Sequence, residues 1–337
     1  MRNCCIVFIL LMLGVLSPNP NFLQKRDNPD RQHDNLFPVD SGEKWGFINQ
    51  RGEFMIAPRF DNVSDFSDGV AAVEIGGKWG YILPTGELLI EPRFDETQGW
   101  DFKDGLACVF VNGKAGFINK AGEIAIAPQF LGPTHFSEGL APVQLKGEVG
   151  YINTSGKLVV RWAGDIRLGD FSDGLATVGF PNGTGFIDTE GTTAIEPQFM
   201  AASKFSEGLA SVVQNWKRGY IDRSGKTVIG IRYDEANDFS EGLAAVSEGG
   251  RYFFIDKDGM QAIPQTFVRA ASFSEGLAAV RSQQDDKVGF IDRKGRFVIP
   301  PTFDQAEAFS EGLARTRIDG RWNYIDKNGK IVWPSES

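Results

Sequence analysis

Histidine and cysteine are nearly absent: the 337 residues include two of the first and three of the second. His33 falls in a polar stretch and His135 in a connector, too far apart in pattern to suggest a cluster. Triads and His-based metal sites need ligands gathered in space, so no catalytic residue, metal ligand or cofactor is expected. Cys4 and Cys5 lie at the extreme N-terminus, which leaves Cys108 without an internal partner once a leader is removed. Stability must then come from burial and hydrogen bonding. Positive charge is also short, with 35 Lys and Arg against 44 Asp and Glu and a net charge of -9. No basic run offsets this, and an acidic surface repels phosphate backbones, so nucleic acid is excluded as a partner. The Gly-rich turns are not phosphate loops, because none opens a helix or ends in Gly-Lys-Ser/Thr.

Long apolar runs are lacking except for one, Cys4 to Leu16, which follows Met1-Arg2-Asn3 and stops at Ser17-Pro18. Its 13 residues fall short of the roughly 20 that a membrane span needs. Residues 1–17 therefore read as a secretory signal peptide or an N-terminal anchor. No A-x-A cleavage pattern is present and Pro18 disfavours cutting after Ser17, so both readings stay open. Membrane contact would come only through this segment if it is uncleaved. The expected location is secreted, periplasmic or cell-surface. Residues 18–35 are rich in Asn, Asp, Pro, Gln and Arg and read as a flexible linker.

What the chain has in plenty is Gly, 40 residues, and Phe, 27 residues. Their placement is periodic. One aligned position recurs at Gly46, Gly80, Gly116, Gly150, Gly185, Gly219, Phe253, Gly289 and Asn323, in steps of 34 to 36 residues. An aromatic and then Ile follow it, as in Gly46-Phe47-Ile48, and Trp precedes it at Trp45, Trp79 and Trp322. A second signature, Phe, usually Ser, an acid, Gly, Leu or Val, Ala, begins at Phe66, Phe102, Phe136, Phe171, Phe205, Phe239, Phe273 and Phe309. Eight connectors between nine cores define a repeat array over residues 36–333.

One copy shows how a unit folds. Leu106 to Val111 is short and β-prone, and Asn112-Gly113 is a hairpin turn whose residues tolerate positive φ. Lys114 to Asn119 reads as a second strand, Asn119-Lys120-Ala121-Gly122 as a second turn, and Glu123 to Ala127 as a third strand that Pro128 ends or edges. The fold class is thus all-β, a tandem repeat of nine antiparallel meander units of three to four strands. Short meanders are marginal alone, so neighbours must cover one another's apolar faces. A propeller-like toroid and an open curved β-array both satisfy the pattern. Both ends of the array are unit-complete, so no blade mixing strands from the two chain ends is expected. A Gly recurring between two aromatics implies close packing on its side, with the backbone or a ring of the adjoining copy as the expected neighbour.

Lys44-Trp45-Gly46-Phe47-Ile48, Lys78-Trp79-Gly80-Tyr81-Ile82, the Pro-Arg-Phe-Asp runs from Pro58 and Pro92, and the Phe-Ser-Glu-Gly-Leu-Ala connectors resemble the WG-containing repeat family. The resemblance covers essentially everything after the linker. It implies an interaction module, bacterial and often exported, with no shared enzymatic activity. Seven copies depart from the Trp-Gly pair, at Ala115, Val149, Thr184, Arg218, Phe253, Val288 and Asn323, which fits a packing role rather than nine ligand sites.

The connector acids Asp68, Asp104, Glu138, Asp173, Glu207, Glu241, Glu275 and Glu311 admit two readings: a row of carboxylates for cations or a basic partner, or turn chemistry before a Gly. The connector Phe residues read as wedges between copies. Residues outside the consensus are the better binding candidates: Trp100, Trp162, Trp216, Arg161 and Arg167, since exposed aromatics with Arg suit recognition. The function expected is an exported, non-enzymatic binding or scaffolding module for a protein, peptide or glycan. The alternatives are an envelope polysaccharide or peptidoglycan hydrolase or lyase, with acids in divergent copies four and five, and a passive structural spacer.

Overall fold

The computed structural model describes residues 35–95, 101–283 and 286–334. The leader, linker residues 18–34 with His33, and Trp100 lie outside the described residues. Every element among those described is a β-strand, and the strands form nine small antiparallel sheets in chain order. In sheet six, strands a (Leu209–Gln214), b (Lys217–Asp222) and c (Thr227–Tyr233) follow one another, and a two-residue strand, Ala201–Ala202, pairs with the far side of a. Six sheets have this four-stranded form; sheets one, three and four show three strands among the described residues.

Local sequence sets the turns. Asn112 and Gly113 have φ of 52° and 72°, the double positive φ of the tight hairpin that matches strand twist. At the b–c turn the Gly122 N–H donates to the Asn119 carbonyl, while the Asn119 side-chain oxygen accepts from the N–H groups of Ala121 and Glu123. Strand c differs from expectation. It runs through Pro128 to Phe130, because c is the outer strand and its free edge tolerates a residue without an N–H. It is also bulged: Ile126 pairs with Phe117 and Phe130 with Ala115, so four steps of c match two of b.

The bulge explains the recurrent Gly of strand b. A Cβ on Gly116 would lie 2.7 Å from the Pro128 nitrogen and 2.8 Å from the Ile126 carbonyl oxygen. The close neighbour is therefore the backbone of the same copy's strand c, and the expectation of an adjoining copy is corrected. The extra residues of c fold down onto b, and a Cβ at Gly116 would crowd them; blade seven carries Phe253 at this position over the same bulge.

Contacts between copies follow a second rule. Each connector Phe packs against the strand-b aromatic of the copy before it, as in Phe47–Phe66, Phe117–Phe136 and Tyr220–Phe239, with ring centroids 4.8 to 4.9 Å apart. All eight connectors make this contact, so the wedge reading holds. The b–c turn Gly of each copy likewise sits on the strand-c Ile or Val of the preceding one: Gly86 on Ile56, Gly191 on Val160, Gly329 on Ile299.

Contacts of the same kind join the last copy to the first. Gly52 lies against the Val332 carbonyl, Phe37 meets Tyr324 at 5.6 Å, and Phe54 meets Trp333 at 4.9 Å. The Tyr324 hydroxyl donates to the Pro38 carbonyl at 3.1 Å. The array is thus a closed ring, a nine-bladed β-propeller, and the open array is set aside. Among the described residues blade one comes from Phe37–Phe60 and blade nine from Gln305–Trp333, and no blade mixes the two chain ends.

The connectors line the axis. Their acids have φ near +50° and the following Gly near +80°, which is turn chemistry. Six of the eight carboxylates also accept from the equivalent Gly N–H one copy on: Asp104 from Gly139 at 2.8 Å, Glu138 from Gly174 at 2.9 Å, Asp173 from Gly208 at 3.0 Å, and so on to Glu275 and Gly312. The Ser hydroxyls donate to the next copy's Phe carbonyl, Ser137 to Phe171 and Ser206 to Phe239. Equivalent turns can touch in succession only on a circle of small radius, which places the connectors innermost and strand c outermost.

The bulge account separates two neighbouring glycines. Gly219 would bring a Cβ to 2.7 Å from the Ile229 carbonyl oxygen, whereas Gly230 has nothing within 4 Å. Gly219→Ala is expected to lower unfolding stability by about 1–3 kcal/mol. Gly230→Ala is expected to stay within about 0.5 kcal/mol of the parent. Urea denaturation followed by fluorescence reads both.

Candidate functional site

Copy four breaks the pattern in three places. Its strand c, Leu158–Ala163, keeps the register shift near the turn, between Tyr151 and Ile152, but lacks the larger bulge: Tyr151 pairs with Val160 and Val149 with Trp162, two steps against two. Trp162 therefore stands where other copies place the closing Phe, as Phe130 stands opposite Ala115. The connector that follows is longer, and it forms a full strand, Arg167–Ser172. The inner edge of blade four is also undone. In blade six the Ser203 N–H donates to the Ser211 carbonyl, and the Ser211 N–H donates back to the Ser203 hydroxyl. Blade four has Pro133 and Pro142 along this stretch, neither with an N–H to give. Only the Leu131 N–H and the Thr134 hydroxyl still bond across, to Gln144 and Pro142 carbonyls.

These changes open a cleft of about 640 Å³ between blades four and five. One wall is Gly132–His135, a second is Pro142–Leu145 with Glu148 and Val149, and the third is Gly164–Ile166 with Leu168 and Asp170. At the axial end His135 Nε2 lies 3.1 Å from Asp170 Oδ2, both nearly half exposed. That hydrogen bond holds His135 above its ordinary pKa, burial opposing and the Asp170 charge adding to it; the nearby Lys103 lowers it and Asp101 raises it. Asp170 is held low by the same bond. A second cleft, about 600 Å³, shares Asp165 and runs along Arg167, Phe180, Thr184, Phe199 and Met200.

The candidate residues scatter around these clefts. Arg167 lines the second. Arg161 is exposed and sits 3.8 Å from Glu148, a loose pair. Trp162 is half-buried and packs edge-on against Tyr151 at 6.4 Å and Phe180 at 6.1 Å. Trp216 is 81% exposed at the a–b hairpin tip of blade six, with φ of 62° where Gly113, Gly250 and Gly320 stand in other blades. A bulky residue in this conformation costs about 1 kcal/mol or more. Met200, 48% exposed, bonds through its N–H to Val213 beside that tip. Sequence reasoning missed the pairing of His135 with Asp170 and the placement of Glu148 and Asp165 on the cleft walls. The usable signal was Pro133 with Pro142, two prolines where other copies keep N–H donors.

A family profile, WG containing repeat, matches residues 45–79, 79–114, 116–148, 185–217, 219–252, 252–287 and 289–322. The chain belongs to the WG containing repeat family. The matches of this WG-repeat chain leave out residues 149–184, the segment that carries Arg161, Trp162, Asp165, Arg167 and Asp170. No curated protein matches it. Among solved structures, the crystal structure of the eukaryotic initiation factor is similar, with a TM-score of 0.63 and 11% identity over 88% of this chain and 95% of that one. Kluyveromyces lactis Hsv2 aligns with a TM-score of 0.43 and 11% identity, over 66% of this chain and 89% of that one. At such identity the likeness to the first is one of fold alone.

The His135–Asp170 pair sets a pH dependence. A group with a raised folded pKa adds stability that is present below its unfolded value, about 6.5, and lost as pH rises through the folded value. His135→Asn should therefore cost more stability at about pH 5.5 than at about pH 9. The difference should stay under about 1 kcal/mol because solvent screens the pair. Urea melts at the two pH values check this.

Proposed function

We propose that this WG-repeat propeller is an exported, non-enzymatic binding or scaffolding module. It engages a protein, peptide or glycan of the cell envelope through the face formed by blades four to six. The observation that carries this reading is coincidence in place. The segment that departs from the family pattern, residues 149–184, is the one that borders both clefts. Beside it stand an exposed, strained Trp216 and an exposed Met200. Packing does not require an indole at a hairpin tip that Gly fills elsewhere, and strain kept at an exposed aromatic is a feature of recognition sites. The apolar N-terminal run supports export.

Capture from envelope extract tests this with two immobilised proteins, the parent and the double variant Trp216→Gly, Arg167→Ala. Both changes are at exposed positions, so the fold should survive. The parent should enrich a partner that the variant loses by about tenfold, as hot-spot truncation predicts. Equal enrichment by both would contradict this face as the binding site, and none by either would contradict the binding role and favour a spacer. A second reading, hydrolysis or elimination on an envelope polymer, draws on the carboxylates and histidine gathered in the first cleft. Turnover of a polysaccharide or peptidoglycan that disappears in Asp170→Asn would establish it instead.

A further inference from the structure

The two clefts differ in what they can hold. The second has aromatic walls and an arginine. The first has no Phe, Tyr or Trp among its described lining residues; its polar side chains are the carboxylates Glu148, Asp165 and Asp170 together with His135, Thr134 and Gln144. Resting on the proposed binding role, we infer that the cleft between blades four and five accepts a basic, amphipathic peptide segment. A Lys or Arg side chain would lie among those carboxylates and its apolar neighbours against Leu145, Val149 and Ile166.

Four observations support this. Asp165 makes no hydrogen bond or ion pair among the described residues and stands at the mouth of the cleft, exposed. Glu148 is only loosely matched by Arg161, at 3.8 Å. The cation inside the cleft, when His135 is protonated, is already bonded to Asp170. About 640 Å³ lies in the range of sites that enclose a small ligand or a few side chains. The alternatives fit less well. An anionic ligand would meet three carboxylates. A neutral glycan usually stacks on a ring, and this cleft offers only the imidazole of His135. The chain's net charge of -9 also steers cationic partners toward it.

Two synthetic probes decide the matter by calorimetric titration of the full chain: acetyl-Leu-Lys-Leu-Lys-Leu-amide and its counterpart with Glu in place of Lys. The Lys peptide should bind with a dissociation constant below about 1 mM, and the Glu peptide should not. Added salt should weaken binding as it screens exposed charges. Asp165→Asn with Glu148→Gln should weaken it by about tenfold or more. Asp165→Asn alone, at an exposed and unpaired residue, keeps the test usable if the double variant loses stability. No binding of the Lys peptide, equal binding of both peptides, or binding indifferent to these substitutions would overturn the inference. If the envelope partner is still captured by the parent and lost by Trp216→Gly, Arg167→Ala, the binding role stands and only the ligand class falls.

Discussion

An aromatic ring on the middle strand of one blade meets the edge of a phenylalanine that leads into the next, and the whole molecule is assembled from this contact. Eight such pairs hold successive blades at ring distances of 4.8 to 5.1 Å. Phe37 on Tyr324 plays the same part at the seam. Edge-on or tilted ring geometry adds direction to apolar burial, so each interface fixes an angle as well as an attraction. A small angle repeated nine times closes a circle. The outer contacts, a turn glycine resting on the preceding blade's Ile or Val, set the same angle at larger radius.

Near the axis the polar atoms are arranged to the same end. Carboxylates and serine hydroxyls of one connector satisfy backbone groups of the next. A row of acids thus becomes a belt of hydrogen bonds between copies. Each acid holds a positive φ that Gly or Asn would adopt more easily, and in six of the eight the bond to the neighbouring blade offsets that strain. Where copy four departs from the scheme, it departs in every layer at once: the larger bulge missing outside, a longer connector, and two prolines within. A cleft is the mechanical result, and the charged residues around it then decide what it can hold.

Much of this was legible in the sequence. The period, the strand and hairpin positions of the unit from Leu106 and the wedge role of the connector Phe residues follow from patterns inside one copy or between adjacent copies. What was not legible depends on pairing register. Gly116 lies under its own copy's third strand because that strand carries extra residues through Pro128, and apolar spacing alone does not show an insertion within a strand. Trp162 looks like an outlier until register places it opposite Val149, in the closing-Phe position. His135 looked isolated because its partner, Asp170, comes from the next copy, across a connector of unusual length. Ring closure is likewise a property of summed angles that no single repeat spells out.

Closure without a shared strand is the claim on which the rest stands, and a distance across the seam tests it most directly. Spin labels at the exposed positions Arg51 and Lys330 flank the contact of Gly52 with Val332. Electron–electron resonance should return one narrow, short distance that persists on dilution. A broad distribution at the span of an extended array would contradict the ring.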